Sequence, residues 1–307
     1  MNDSLLLNDY PIFPNSTRTD LALALRRALK NSTGLAAGKL GLSEQAMLAF
    51  PFLLERCTSA RQEAALTIQT RRHCAATLGV FPISRDTILE FSALHAEAVR
   101  SLDFLGLVEG RLEADLLNFL DYRGPTLSIF DLEPDRSVPD KSAACYLPEL
   151  KDKRVLIISS AADLIRSRAN EETFTATWAK TGKPWFNPEQ VISLQFPYTY
   201  DIDTQRHFGS SIHLLEWIVD RIDPDTFDIA LIAGASLGIP LAAAIKDMDR
   251  SALALGGALQ VLFGVKGKRW RDDPEWVKNY FTDAWVDIPE DQVPRMPAGY
   301  CEDGAYW

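Results

Sequence analysis

Apolar positions along this chain follow two alternating rhythms, one helical and one of short continuous runs. Residues 16–31 (STRTDLALALRRALKN) read as a helix, with Leu21, Leu23, Leu25 and Leu29 supplying much of an apolar face and Asp20 near its start. The run LAAGKLG over 35–41 is short and Gly-bounded, which predicts a strand and a turn. Ser43 then caps a helix that runs through LLERC, and residues 60–77 form another. Ser84 suits the N-cap of a further helix, with Asp86 in its first turn. Ile88, Phe91, His95, Val99 and Leu102 form one stripe along that helix, which places His95 among packed core residues. Residues 104–108 read as a buried strand, 111–121 as a helix, and 126–132 (TLSIFDL) as a strand.

The second half repeats the rhythm more clearly. Arg154 to Ser159 is a continuous apolar strand followed by helix from about Ala161, and 191–196 is a further strand. Residues 207–222 predict one helix in which Ile212, Leu215, Ile218 and Val219 share a face. FDIALIA over 227–233 is a strand, Leu237, Leu241, Ile245 and Met248 recur at helical spacing, and 252–255 is a last strand before Gly256-Gly257. Strands that alternate with helices predict an α/β, Rossmann-like, mostly parallel sheet with helices on both faces. We divide the chain into an N-terminal helical segment (1–34) and a single α/β domain (35–307). The Pro-rich stretch 134–148 joins two halves of that domain.

Composition narrows the function. A formal net charge of -10 argues against binding duplex nucleic acid, which calls for a basic surface. A phosphate site needs only local positive potential and stays open. Cys57, Cys74, Cys145 and Cys301 form no CxxC pair and no zinc spacing. With an N-terminus that lacks the form of a signal peptide, they predict reduced thiols and a cytoplasmic protein. The uncharged run 229–245 is short for a bilayer and is broken by Gly234, Ser236, Gly238 and Pro240, so it reads as a strand turning into a helix rather than a membrane span.

Two stretches carry candidate chemistry. FDIALIAGASLGIPLAAAIKDM places Gly234, Ser236 and Gly238 where a buried strand turns into a helix, the place where open α/β sheets bind anionic ligands. A tight turn with close helix packing would read the same way. The turn lacks GxGxxG, and no acid follows on the next strand, which weakens a dinucleotide reading. GASLG has the outline of a nucleophile elbow, but no histidine follows His213 to complete a triad. The second stretch, 253–271 (LALGGALQVLFGVKGKRWR), concentrates Lys266, Lys268, Arg269 and Arg271 in an acidic chain. Lysine point charge beside an arginine fork suits a diphosphate, although a solvated basic turn is the plainer reading. His73, His95, His207 and His213 show no metal-ligand spacing.

GASLGIPLAAAIK, LGGALQVLFGVKGKRW and the aromatic end Tyr306-Trp307 resemble a family of bacterial proteins from surface-polysaccharide gene clusters, related to GT-D-type glycosyltransferases. LKDKRVLII, FDIALI, GVFP at 79–82 and the strand around 103–108 extend the resemblance over most of the chain from about residue 35. It implies a GT-D-like fold and a nucleotide-sugar donor such as a UDP-sugar. The family's early Asp-x-Glu motif falls on Lys39-Leu40-Gly41-Leu42-Ser43-Glu44, with Glu44 in place of its Glu and Leu42 where its Asp stands. Glu44 is thereby implied as a catalytic acid and as a ligand of Mn2+ or Mg2+. A literal Asp-x-Glu at Asp131-Leu132-Glu133 makes those two acids further catalytic candidates. Donor contacts are implied at Lys39, Gly41, Gly234, Ser236, Gly238, Gly256, Gly257, Gln260, Lys266, Lys268, Arg269 and Trp270.

The favoured reading is therefore a glycosyltransferase that moves a sugar from a nucleotide diphosphate to a glycan, lipid-linked or peptide acceptor. The rival is a degenerate member that binds a sugar nucleotide or a partner without catalysis, supported by Leu42. A nucleotide-cofactor enzyme is a third reading, and a homo-oligomer stays open. The aromatic tail predicts a docked C-terminal segment, either plugging the core or stacking on the nucleobase.

Overall fold

The computed structural model describes residues 14–108, 113–134 and 145–307. The short apolar runs form one sheet: β1 (Ala36–Leu40), β2 (Phe104–Leu107), β3 (Thr126–Ser128), β4 (Arg154–Ser159), β5 (Gln190–Gln195), β6 (Ile229–Ala233) and β7 (Ser251–Ala254). Their order is β3-β2-β1-β7-β6-β4-β5, and every pairing is parallel. Side chains on alternate residues enter two separate cores. Val155 and Ile157 of β4 join Ile229 and Leu231 of β6 on one face, while Leu156 and Ile158 join Ala230 and Ile232 on the other. Burial on both faces is why these strands read as continuous apolar runs rather than alternating ones.

The direction of each crossover decides which helix lies where. The first face carries α2 (Leu42–Glu55), α3 (Ala60–His73), α4 (Arg85–Ser101), α5 (Glu113–Leu120), α9 (Ser211–Val219) and α10 (Gly238–Asp247). The second carries α1 (Arg18–Asn31), α6 (Ala162–Arg168), α7 (Glu171–Thr177) and α11 (Ala258–Leu262), while α8 (Ile202–Phe208) precedes α9. The steps β1→β2→β3 and β5→β6→β7 run one way along the sheet and use the first face. The steps β3→β4→β5 run the other way and use the second. A single crossover hand requires that alternation.

Beyond α11 the chain adds a small parallel pair, β8 (Val265–Lys266) with β9 (Val286–Asp287), and the short helices α12 (Lys268–Arg271), α13 (Pro274–Asn279) and α14 (Cys301–Gly304). Trp178, Trp276, Tyr280 and Trp285 fill the space beneath, in edge and tilted ring contacts. Two of the buried indoles find acceptors: Trp178 Nε1 donates to the Leu262 carbonyl at 2.9 Å and Trp285 Nε1 to that of Thr177 at 3.0 Å.

Local details depart from the sequence expectation. The helix predicted over 207–222 is two, because Gly209 takes φ 71 and Ser210 caps a new start by accepting the His213 N–H. The strand predicted over 126–132 stops at Ser128, whose hydroxyl caps a tight 3-10 turn at Ile129–Leu132. Gly41, not Ser43, occupies the N-cap of α2, and its carbonyl accepts the Gln45 N–H at 3.0 Å. The helix predicted over 60–77 is α3 continued by a wider turn at Cys74–Leu78. Residues 111–112, most of the 134–148 stretch and the N-terminal decapeptide lie outside the described residues.

Candidate functional site

Strands β7 and β4 leave the sheet toward one face, while their neighbours β1 and β6 leave toward the other. Diverging exits open a crevice at the carboxyl ends of the strands, where open α/β sheets bind ligands. A cavity of about 640 Å³ lies there. Its floor is made by Lys39 near the end of β1 and Gly41 just after it, Gly256 and Gly257 after β7, Gly234 after β6, and Ser159 and Ser160 at the end of β4. The Gly-rich turns named from sequence therefore converge from separate strands on one space.

Lys39 points toward the second face, where the 3-10 turn after β3 presents Glu133. The two side chains are ion-paired at the cavity floor, with exposures of only 13% and 6%. Such a pair would be costly to break, since the surviving charge would stay buried and alone. Glu44, in the first turn of α2, also lines the cavity. Burial raises its carboxyl above the usual carboxylate range, against the lowering pull of its own backbone N–H, the Lys39 charge and the Gly41 N–H. Its Oε2 lies where a side chain at Gly41 would begin, 2.7 Å from an added Cβ. His95 reaches the cavity from α4 yet is only 1% exposed. Neither ring nitrogen has a hydrogen-bond partner of normal geometry among the described residues. Burial pushes its pKa down to about 4, slightly offset by the Ser236 backbone alongside.

The C-terminal tail closes the opposite wall. The Lys268 and Arg269 N–H groups donate to the backbone oxygens of Trp307 and Ala305, and Gln260 Nε2 donates to that of Tyr306 at 3.0 Å. Tyr306 packs on Trp270, and Trp307 meets the rings of Tyr198 and Tyr200. Gly257 permits this approach: a Cβ there would stand 2.4 Å from the Tyr306 ring. Arg269 faces the cavity, with its guanidinium over the Tyr306 ring and Nη1 donating to the Tyr306 hydroxyl at 3.2 Å. The tail is thus docked, and Tyr306 and Trp307 serve both as packing and as cavity wall.

Of the residues named from sequence, the fold brings Lys39, Gly41, Glu44, Glu133, Gly234, Gly238, Gly256, Gly257, Gln260 and Arg269 to the cavity lining. Others lie elsewhere. Asp131 is bonded to Arg18 of α1 at 3.1 Å. Ser236 is fully buried within the turn, and Trp270 is buried against Trp276 and Tyr306. Lys266 and Arg271 are both ion-paired with Asp287 of β9, at 3.2 and 2.7 Å. Lys268 starts α12 outside the lining. The basic run is split because a strand and a helical turn point successive side chains in different directions. Tyr198, Tyr200, Ser159, Ser160 and His73 line the cavity without having been singled out. Only the serines carried a signal, as polar residues ending an apolar strand.

A divalent ion on a diphosphate usually rests on one or two carboxylates. Among the described residues, the carboxylates that line this cavity are Glu44 and Glu133; Glu133 is bonded to Lys39, and Glu44 feels the same ammonium. Position 42 offers Leu42, 60% exposed, and no three His, Cys, Asp or Glu side chains converge among the described residues. Among the described residues, a divalent ion at either carboxylate would lie beside the Lys39 ammonium.

No helix among the described residues is long and apolar enough to cross a membrane, and the uncharged run 229–245 is β6, a turn and most of α10. Neither a protein-family profile nor a curated protein sequence matches the chain. Among solved structures, it is similar to a selenomethionine-substituted domain of unknown function 1792, with a TM-score of 0.41 and 10% identity, over 87% of this chain and 94% of that one.

Proposed function

We propose that this protein is a cytoplasmic glycosyltransferase that binds a nucleotide-diphosphate sugar in the cavity at the carboxyl ends of β1, β4, β6 and β7. The observation that carries the reading is the convergence there of Gly-rich turns, two cations on separate walls and an aromatic tail. The resemblance of the C-terminal blocks to GT-D-type enzymes supports it. In this reading the turns after β6 and β7 let a donor's diphosphate approach backbone N–H groups, as helix starts favour. Lys39 and Arg269 stabilise the negative charge that builds on the leaving diphosphate as the anomeric C–O bond breaks. The rings of Tyr306 and Trp307 offer the nucleobase a face to stack on. Glu44, whose carboxyl pKa is raised by burial, takes the proton of an acceptor hydroxyl in this reading as the new glycosidic bond forms.

The test is a screen of nucleotide sugars for binding by calorimetry and for donor hydrolysis. Binding with hydrolysis that falls sharply in Glu44→Gln supports the reading; no binding by any nucleotide sugar sinks it. A second reading, a sugar-nucleotide-binding protein without catalysis, is favoured by Leu42 standing exposed where the resembled motif has an acid. Binding without turnover across a panel of acceptors would select it.

A further inference from the structure

We propose that this cleft takes its nucleoside diphosphate without a divalent ion, Lys39 supplying from the sheet the positive charge that a metal would bring. The inference rests on the reading of the cleft as a nucleotide-sugar site and goes one step further into its chemistry. Lys39 is the next-to-last residue of β1, a strand paired on both sides, by β2 and β7. Its ammonium is therefore delivered by one of the most rigid elements of the fold to the floor of the cavity. Glu133 fixes it there, and the depth of the pair limits screening by water. Lys39 lines the cavity, so its side chain borders the space a phosphate would enter.

A second cation faces it. Arg269 comes from α12 and is oriented by the hydroxyl and the ring of Tyr306. Lys39 and Arg269 thus both border the Gly-rich turns with cationic side chains. A divalent ion placed at the same acids would sit against the Lys39 ammonium, and it would have to displace that lysine from Glu133 to gain a second carboxylate. Repulsion between like charges at so poorly exposed a pair opposes that arrangement. Position 42, where the resembled motif has an acid, is Leu42.

Calorimetry on the full chain decides the matter, with UDP, GDP, CDP and dTDP titrated in EDTA and again with added MnCl2 or MgCl2. The expected result is that at least one of them binds with an affinity that differs by no more than about twofold between EDTA and metal, well under the tenfold step of 1.4 kcal/mol. The double variant Lys39→Met with Glu133→Gln removes both charges of the pair, so neither is left buried alone. It should bind about tenfold or more weakly, with no rescue by either ion, as expected for a charged hydrogen bond lost. Wild-type binding that drops tenfold or more in EDTA and returns with Mn2+ overturns the inference, as does a folded double variant that binds normally. If circular dichroism shows the double variant unfolded, the wild-type comparison with Lys39→Arg, which keeps the charge, stands in its place: equal metal independence in both is expected, and metal dependence in either overturns it. If none of the four diphosphates binds under any condition, the diphosphate reading of the cleft fails and takes this inference with it.

Discussion

His95 makes the fold acid-sensitive by an amount that follows from its burial. In the folded protein its pKa is pushed down to about 4 from an ordinary value of 6.5. The unfolded chain therefore binds the proton first as pH falls. The stability that neutral His95 permits is complete above its ordinary pKa and is lost as pH descends toward its folded value. The fall from 6.5 to about 4 corresponds to about 3 kcal/mol between pH 7 and pH 4. Urea denaturation at several pH values reads this quantity directly. The comparison is with His95→Gln, which keeps a polar side chain of similar reach and cannot titrate. Its absolute stability will be lower, because the imidazole fills space beside Phe91 at a ring separation of 6.1 Å. The informative quantity is the slope. His73, lowered in the same sense, and Glu44, raised in the opposite sense, titrate in both proteins and cancel in the difference. Stability curves that run parallel from pH 7 to pH 4 would refute the assignment of a buried neutral imidazole at the cavity floor.

Four further outcomes are expected. Glu44→Gln should be at least as stable as the parent at neutral pH, with its advantage growing as pH rises through the raised carboxyl pKa, since burying that charge costs stability above it; an advantage that shrinks with rising pH in denaturation curves would count against the burial argument. Gly257→Ala places a Cβ 2.4 Å from the Tyr306 ring and should cost about 1–3 kcal/mol by overpacking, seen as a lower Tm; an unchanged Tm would show that the tail is loosely held. Arg269→Ala should weaken UDP binding by about 1–3 kcal/mol while Lys268→Ala leaves it alone, and equal effects by calorimetry would contradict the partition of the basic run. Deletion of Tyr306 and Trp307 should lower both the ligand-free Tm and the affinity for UDP, because the two rings are packing and cavity wall at once; a truncated chain with both quantities intact would mean the tail is dispensable.

Much of the scaffold was legible because it is written in local patterns. A strand buried on both faces must be apolar at every position, so 154–159 and 227–233 could be read without knowing their neighbours. The turn at 234–238 was legible for the same reason: a buried strand followed by small residues and a helical stripe leaves few other structures. Errors arose where a single residue overrode a period. Gly209, in a left-handed conformation, and the Ser210 cap divide a stretch whose apolar spacing alone reads as one helix.

What periodicity could not show is which side chains meet. Lys39 and Glu133 are 94 residues apart, and they join only because the crossover after β3 returns across the second face of the sheet. The basic run around 266–271 looks like one site in the sequence, but β8 and α12 turn its members to different partners, leaving Arg269 at the cavity. His95 sits on an apolar stripe and is as buried as that stripe implies; that its ring also borders the cavity depends on the packing of α4 beneath the β6–α10 turn. The sequence by itself determined the elements and the sheet class, because hydrophobic burial acts residue by residue along each one. The tertiary structure decided the pairing of Lys39 with Glu133, the docking of the tail and the composition of the cleft, because those depend on the direction of each crossover, which no local pattern encodes.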